Sequence, residues 1–354
     1  MEQMHALLHR LRDDGGSDLH LAAGQPPRMR RKGALEPIDG MATLDDGAIR
    51  ELLHEITDDE AWRSYESGHD LDFAYGIPGV ARFRVNFFVQ ENGCGAVFRI
   101  IPEAIQTLDD LDMPKAIRSF AHLDRGLVLV TGPTGSGKST TLAAIINEIN
   151  ESYAKHIVTI EDPVEFVHPH KRCLFSHREV GLHTKGFGPA LRAALREDAD
   201  VVLVGEMRDY ETISLALTAA EMGALVFGTL HTSGAAKTID RVVDAFPADE
   251  QPQARLSLSE SLAGVVSQLL LKTADGKGRC AANEILIRTS GLANVIREGN
   301  TPMLLNIIQS GKSMGMQTMD DALMALVQAN RILPEDAYRK AIEKTRFEKY
   351  APAD

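Results

Sequence analysis

The chain has 354 residues, of which 44% are apolar and 5% aromatic, enough to build a core in each of two globular domains. It carries 38 Lys and Arg against 50 Asp and Glu, and this net charge of −12 disfavours nucleic acid as a partner. The sequence has no run of about 18 apolar residues and no N-terminal signal sequence, which predicts a cytoplasmic protein that is not inserted in a membrane. The three cysteines form no CxxC pair, so neither a disulfide framework nor a four-cysteine zinc site is expected.

The first 105 residues contain short segments in which apolar and polar residues alternate, such as Asp72–Tyr75 and Ala81–Val89. Glycine and proline separate these segments, as they do between the strands of small mixed domains. We therefore predict an α+β domain over residues 1–105. The acidic stretch that follows, residues 106–114, lacks periodicity and is predicted to be a linker or hinge.

From residue 115 to residue 354 the sequence predicts a second, α/β domain. Continuous apolar runs alternate with helical patterns, as in a parallel sheet that is buried on both faces. The runs are Gly126–Thr131, His156–Ile160, Val201–Val204 and Leu225–Leu230. From Ser290 onward, helical spacing broken by glycine and proline predicts a set of short helices.

A phosphate-binding loop follows the first of these runs. The segment Gly132-Pro-Thr-Gly-Ser-Gly-Lys-Ser139 fits the pattern GxxxxGK[ST], with a strand before it and a helix after it. Glycines let backbone N–H groups approach phosphate oxygens, Lys138 neutralises phosphate charge, and the Ser139 hydroxyl binds Mg²⁺. The predicted ATP-binding residues here are Gly132, Pro133, Thr134, Gly135, Ser136, Gly137, Lys138, Ser139 and Thr140.

Hydrolysis also needs carboxylates that hold the metal and activate water, and these are expected at the ends of further buried strands. One candidate segment is Ile160-Glu-Asp-Pro-Val-Glu165, and the other is Gly205-Glu-Met-Arg-Asp209. Glu206 follows its strand as the acid of a Walker B motif does, and it is a second candidate Mg²⁺ ligand, directly or through water. His231 ends another strand. It is interpreted as a sensor of the terminal phosphate, as a link from that phosphate to a neighbouring subunit, or as a structural histidine.

Three arginines on the alternating segments of the first domain allow two interpretations. Arg82, Arg84 and Arg99 can form a solvated strand face, or they can contact the phosphates of ATP, since arginine is well suited to stabilise transferred phosphoryl charge. The residues themselves leave both interpretations open.

In this order the motifs resemble the Walker A, Asp box, Walker B and His box of secretion ATPases, and the chain is most similar to the retraction ATPases of type IV pili. The resemblance extends from Ser17-Asp-Leu-His20 to Gly315-Met-Gln-Thr-Met319. It implies a PAS-like N-terminal domain, a RecA-like ATPase core and a homohexamer with ATP between the two domains and the neighbouring subunit. It also implies that Glu165 is the catalytic base, Glu206 the Walker B acid, His231 the His box residue, and Arg82, Arg84 and Arg99 phosphate contacts.

Such enzymes drive twitching motility by working on a platform protein of the inner membrane, at its cytoplasmic face. Two positions depart from the family pattern: Ala224 replaces a usual histidine, and Gly291–Gly299 matches the C-terminal motif only in part. The alternatives are an assembly or secretion ATPase of the same superfamily, a regulatory partner that binds ATP without hydrolysing it, and a nucleic-acid translocase. The direction of the work is not encoded in any single residue.

Overall fold

The computed structural model describes residues 3–31, 33–101 and 104–351. The chain divides into two compact units, one of Met1–Ala104 with Asp162–Val167 and one of Ile105–Glu161 with His168–Asp354. Their architectures confirm the predicted fold class, an α+β first domain and an α/β second domain with a mainly parallel sheet.

Over its described residues, the first unit is an antiparallel sheet of six strands in the order β3-β2-β1-β6-β5-β4, with three helices. Alternation in β5 buries Phe83, Val85 and Phe87 completely, while Arg82 and Arg84 lie on the opposite face. The elements are α1 (Gln3–Asp13), β1 (Asp18–Ala22), β2 (Arg28–Arg31), β3 (Ala34–Pro37), α2 (Asp46–His54), α3 (Asp59–Glu66), β4 (Leu71–Ile77), β5 (Ala81–Gln90) and β6 (Gly93–Ile101).

The second unit is built on seven strands in the order β13-β12-β7-β11-β10-β8-β9, all parallel except β13. The strands are β7 (Gly126–Thr131), β8 (His156–Glu161), β9 (Leu174–Glu179), β10 (Val201–Val204), β11 (Leu225–Leu230), β12 (Leu262–Lys272) and β13 (Arg279–Ile287). The four apolar runs correspond to β7, β8, β10 and β11, so these strand predictions are confirmed.

Helices cover both faces of this sheet. In β7, Leu127 and Leu129 join one hydrophobic core, and Val128 and Val130 join the other. Each such side chain contributes about 1.5–3 kcal/mol by leaving water. The helices are α4 (Lys115–Ser119), α5 (Lys138–Ser152), α6 (Phe187–Ala194), α7 (Tyr210–Glu221), α8 (Ala235–Asp244), α9 (Gln251–Ser261), α10 (Ser290–Glu298), α11 (Leu304–Ser310), α12 (Met319–Gln328) and α13 (Pro334–Lys340).

Two segments differ from the simplest division of the chain. Residues 106–114 form a turn that belongs to the second unit. Leu108 is buried in that unit's core, and Asp112 forms an ion pair with Arg331. The segment Asp162–Val167, which follows β8 in sequence, packs instead with the first unit, where Arg82 Nε donates a hydrogen bond to the Val164 carbonyl at 3.1 Å. All three cysteines lie among the described residues and are free thiols.

Candidate nucleotide-binding site

The predicted phosphate loop connects β7, which ends at Thr131, to α5, which begins at Lys138. Gly132 has φ +142°, and a Cβ atom there would lie 2.3 Å from the Gln268 carbonyl oxygen. Gly137, with φ +85°, caps the helix in a left-handed conformation. Both positions therefore require glycine, the first for space and the second for its backbone angles.

Lys138 is 8% exposed, and its ammonium group lies over the loop. Nζ donates hydrogen bonds to the carbonyl oxygens of Gly132 at 3.0 Å and Pro133 at 3.2 Å. The Ser136 hydroxyl is buried and, among the described residues, has no hydrogen-bond partner. A buried hydroxyl of this kind, beside an ammonium group and the N-terminus of a 15-residue helix, suits an anionic ligand.

Glu206 and His231 lie at the same edge of the sheet, since β7, β10 and β11 are parallel and all end there. Glu206 Oε1 is 3.1 Å from His231 Nε2, and Oε2 accepts a bond from Arg208 Nη2 at 2.6 Å. Burial alone would raise the pKa of Glu206. The bonds and charges of Arg208 and His231 outweigh it and hold that pKa below its ordinary value, so the carboxylate is ionised at neutral pH.

Glu165 belongs to the first unit, as do the three predicted arginines. With Arg82 it lines a cavity of about 310 Å³ beside Gly76 and Pro78. Arg84 forms a two-point ion pair with Asp72, Nη2 to Oδ2 at 2.6 Å and Nε to Oδ1 at 3.2 Å. The bond to Asp72 raises the pKa of Arg84, and the charge of Glu165 adds to this effect.

Arg99 lies directly opposite Arg84 on the neighbouring strand and pairs with the buried Asp18 at 2.7 Å. Burial would raise the pKa of Asp18, but Ser17 and Arg99 together lower it. Arg82, Arg84 and Arg99 therefore all have partners within their own unit. Their predicted contact with phosphate, and the catalytic roles of Glu165, Glu206 and His231, remain predictions.

The sequence did not single out two residues that organise this edge of the sheet. Gln268 on β12 bonds to both the phosphate loop and the helix after it, and Arg208 pairs with Glu206. A signal for the first was present, since Ser267-Gln268 is a polar pair inside an apolar strand. The second lies within the quoted motif Gly205–Asp209, where its role depends on side-chain geometry.

The donor set at the phosphate loop suits Mg²⁺ better than a metal held by protein alone. Ser139 lies in the first turn of α5 and offers one hydroxyl, and Glu206 offers one carboxylate. Over residues 3–31, 33–101 and 104–351, no group of three or more His, Cys, Asp or Glu side chains is arranged to hold a metal. Mg²⁺ keeps several waters and takes phosphate oxygens as ligands, so a sparse protein set fits it.

The model for the family described as "Type II/IV secretion system protein" matches residues 70–344. The "Type IV pilus retractation ATPase PilT" of Pseudomonas aeruginosa is 53% identical over 92% of this chain and 94% of its own length. A "Twitching motility protein" of Neisseria gonorrhoeae is 51% identical over 89% of this chain and 84% of its own length. The crystal structure titled "Pilus Retraction Motor PilT and Bound ADP" has a TM-score of 0.90 at 41% identity and covers 99% of both chains.

In the described part of the chain, every helix is too short or too polar to span a bilayer.

Proposed function

The chain belongs to the family of type II/IV secretion system proteins, and we propose that it is an ATP-hydrolysing motor that retracts type IV pili and so powers twitching motility. The observation that carries the proposal is the glycine-dependent loop between β7 and α5, with Lys138 buried against it and the ionised Glu206 at the same sheet edge. The relatives named for pilus retraction and twitching motility support the direction of the work.

In this proposal each residue has a distinct task in cleaving the terminal phosphate. Backbone N–H groups of the loop and Lys138 bind the phosphate oxygens, and Ser139 and Glu206 hold Mg²⁺, directly or through water. When bound, Mg²⁺ neutralises charge on the phosphates. Glu165 orients and deprotonates the attacking water, and His231, whose Nε2 lies 3.1 Å from Glu206 Oε1, senses the terminal phosphate.

Arg82, Arg84 and Arg99 are proposed to stabilise the charge that develops on the transferred phosphoryl group. Arginine suits this task because its planar guanidinium donates two parallel bonds to a phosphate. In the first unit each of these arginines already binds an oxygen of its own chain, so a phosphate would compete with that oxygen or use the remaining N–H donors of the guanidinium.

We further propose that the motor is a homohexamer at the cytoplasmic face of the inner membrane, where it acts on a platform protein of the pilus. ATP binding and hydrolysis would change the arrangement of the two units, and successive changes around the ring would withdraw pilus subunits. Ligand-dependent closure of this kind converts a difference in binding free energy into motion.

Two experiments test the proposal at separate levels. Purified protein with Mg-ATP should release phosphate, and Glu206→Gln should abolish the release. Phosphate release at background level in both the wild type and Glu206→Gln would indicate that the protein is a regulatory module that binds ATP without hydrolysing it. In cells, Lys138→Ala should abolish twitching and leave excess surface pili. Loss of pili in that strain would instead identify an assembly motor.

A further inference from the structure

Gln268 is a buried glutamine that lies beneath the phosphate loop. It is 1% exposed and sits on β12, one residue beyond the point where Ser267 pairs with Thr131 at the end of β7. The residues two positions away on the same face of the strand, Val266 and Leu270, are apolar. Burying an amide in such surroundings costs free energy unless its polar atoms are hydrogen-bonded, so the hydrogen bonds of this side chain offset the cost of its burial.

Both ends of the Gln268 amide are bonded to the nucleotide-binding segment. Nε2 donates to the Ser136 carbonyl oxygen at 2.7 Å, and Oε1 accepts from the Thr141 hydroxyl at 2.9 Å. The Ser136 carbonyl can only accept, so the amide has one workable orientation, with its NH₂ group toward the loop. The side chain thus clamps the loop to the first turn of α5.

The clamp fixes the direction of one peptide group. In a trans peptide the C=O and N–H bonds are coplanar and point in opposite directions. Because Gln268 holds the Ser136 carbonyl toward β12, the N–H of Gly137 points away from β12. Gly137 has φ +85°, in a region where a glycine can rotate its peptide at little cost, so this orientation depends on an outside contact.

We propose that Gln268 is a positioning residue for ATP, which keeps the Ser136–Gly137 peptide turned so that an N–H donor, and not a carbonyl oxygen, faces the phosphates. The inference rests on the proposed ATPase function and adds to it a residue that touches the loop and not the reacting atoms. Without the clamp, a rotated peptide would aim a carbonyl oxygen at an anion and weaken its binding.

The first test is the binding of Mg-ATP and of inorganic pyrophosphate to Gln268→Leu, measured by calorimetry. We expect both affinities to fall about tenfold or more, since a buried acceptor loses its donor and the peptide is released. Gln317→Leu is the matched control. The Gln317 amide also donates to a backbone carbonyl that is distant in sequence, that of Asn283 at 2.8 Å. That variant should bind both ligands as the wild type does.

The two ligands separate this inference from a rival. Gln268 also lines a cavity of about 320 Å³ with Thr140 and Leu270, which could hold the nucleoside. Weakened ATP binding with normal pyrophosphate binding would assign Gln268 to the nucleoside and overturn the proposal, as would unchanged binding of both. A wild-type chain that binds neither ligand would refute the proposed function, and this inference with it.

A second variant serves if the leucine variant does not fold. In Gln268→Glu an ionised carboxylate would face the Ser136 carbonyl and repel it, whereas a protonated carboxyl could donate the missing bond. Burial raises the pKa of a carboxyl, so protonation is accessible under mild conditions. We expect the ratio of the variant's pyrophosphate affinity to that of the wild type to rise toward one as the pH is lowered from 8 to 5.5.

The ratio removes the titration of pyrophosphate and of the groups shared by both proteins. The charged and titratable residues that line the cavity beside Gln268 are Asp110, Asp112, Arg279, Cys280 and Arg331. A ratio that stays constant with pH would mean that the side chain only fills space, and would contradict the proposal.

Discussion

The phosphate loop of the second unit and the arginine-bearing strands of the first unit differ in how their polar groups are prepared for an anion. In the loop, Gly132 and Gly137 set the backbone and Gln268 fixes a peptide, so the donors are held by the fold itself. On the strands, Arg84 and Arg99 are donors at the ends of long side chains, and they already bind Asp72 and Asp18.

The difference between the loop and the strands indicates which of them gains more free energy on binding a phosphate. A donor that the fold already orients costs little further ordering when a phosphate arrives. An arginine that must leave a carboxylate exchanges one ion pair for another, so its net contribution is a difference between two similar quantities. Substitutions in the loop should therefore have large effects, and substitutions among the arginine pairs small ones.

The largest effect is expected for Lys138→Ala, which removes a buried positive charge from the prepared loop. We expect ATP hydrolysis to fall by about 10² to 10³-fold or more, as when one preorganised donor to a transition state is deleted. Steady-state phosphate release and equilibrium binding of ATP both report it. Lys277→Ala, an exposed lysine in the turn between β12 and β13, is the control and should leave both values unchanged. Equal activities in the two variants would contradict the expectation that substitutions in the phosphate loop have the larger effects.

A smaller effect, confined to low pH, is expected for Arg208→Ala. Glu206 has a lowered pKa in the folded chain, so its carboxylate stays ionised to lower pH than that of an ordinary glutamate and is lost only as the pH falls through the lowered folded value. Without Arg208, burial is opposed by His231 alone, and the pKa rises. The acid limb of the activity profile should therefore move to higher pH.

We expect the ratio of activity at pH 5.5 to activity at pH 8 to be lower in Arg208→Ala than in the wild type. The control is Arg241→Ala, whose side chain donates to the Arg208 carbonyl, at 3.4 Å, and not to the Glu206 carboxylate. Superimposable pH profiles for Arg208→Ala and the wild type would show that the pairing does not set the ionisation of Glu206.

The same contrast explains what could be predicted from the sequence. The phosphate loop and strands β7, β8, β10 and β11 depend on local patterns, glycine spacing and apolar runs, and these are visible in the sequence. Strand β9 was not foreseen, because Leu174–Glu179 is an edge strand that begins with an exposed leucine and ends in four consecutive polar residues. The partners of Arg84 and Gln268 lie 12 and more than 125 residues away, so their roles depend on tertiary contacts.

The smallest effect is expected for Asp72→Asn, and it tests the exchange of partners directly. If Arg84 must leave Asp72 to bind a phosphate of ATP, removing the carboxylate's charge should favour ATP and lower KM by about two- to fivefold. That is the range expected for an ion pair whose side chains are 41% (Arg84) and 40% (Asp72) exposed. Glu36→Gln, which breaks the comparable pair with Arg31, should leave KM unchanged. A KM that rises in Asp72→Asn would mean that Asp72 holds Arg84 in the orientation that ATP needs, and the strands would then be as well prepared as the loop.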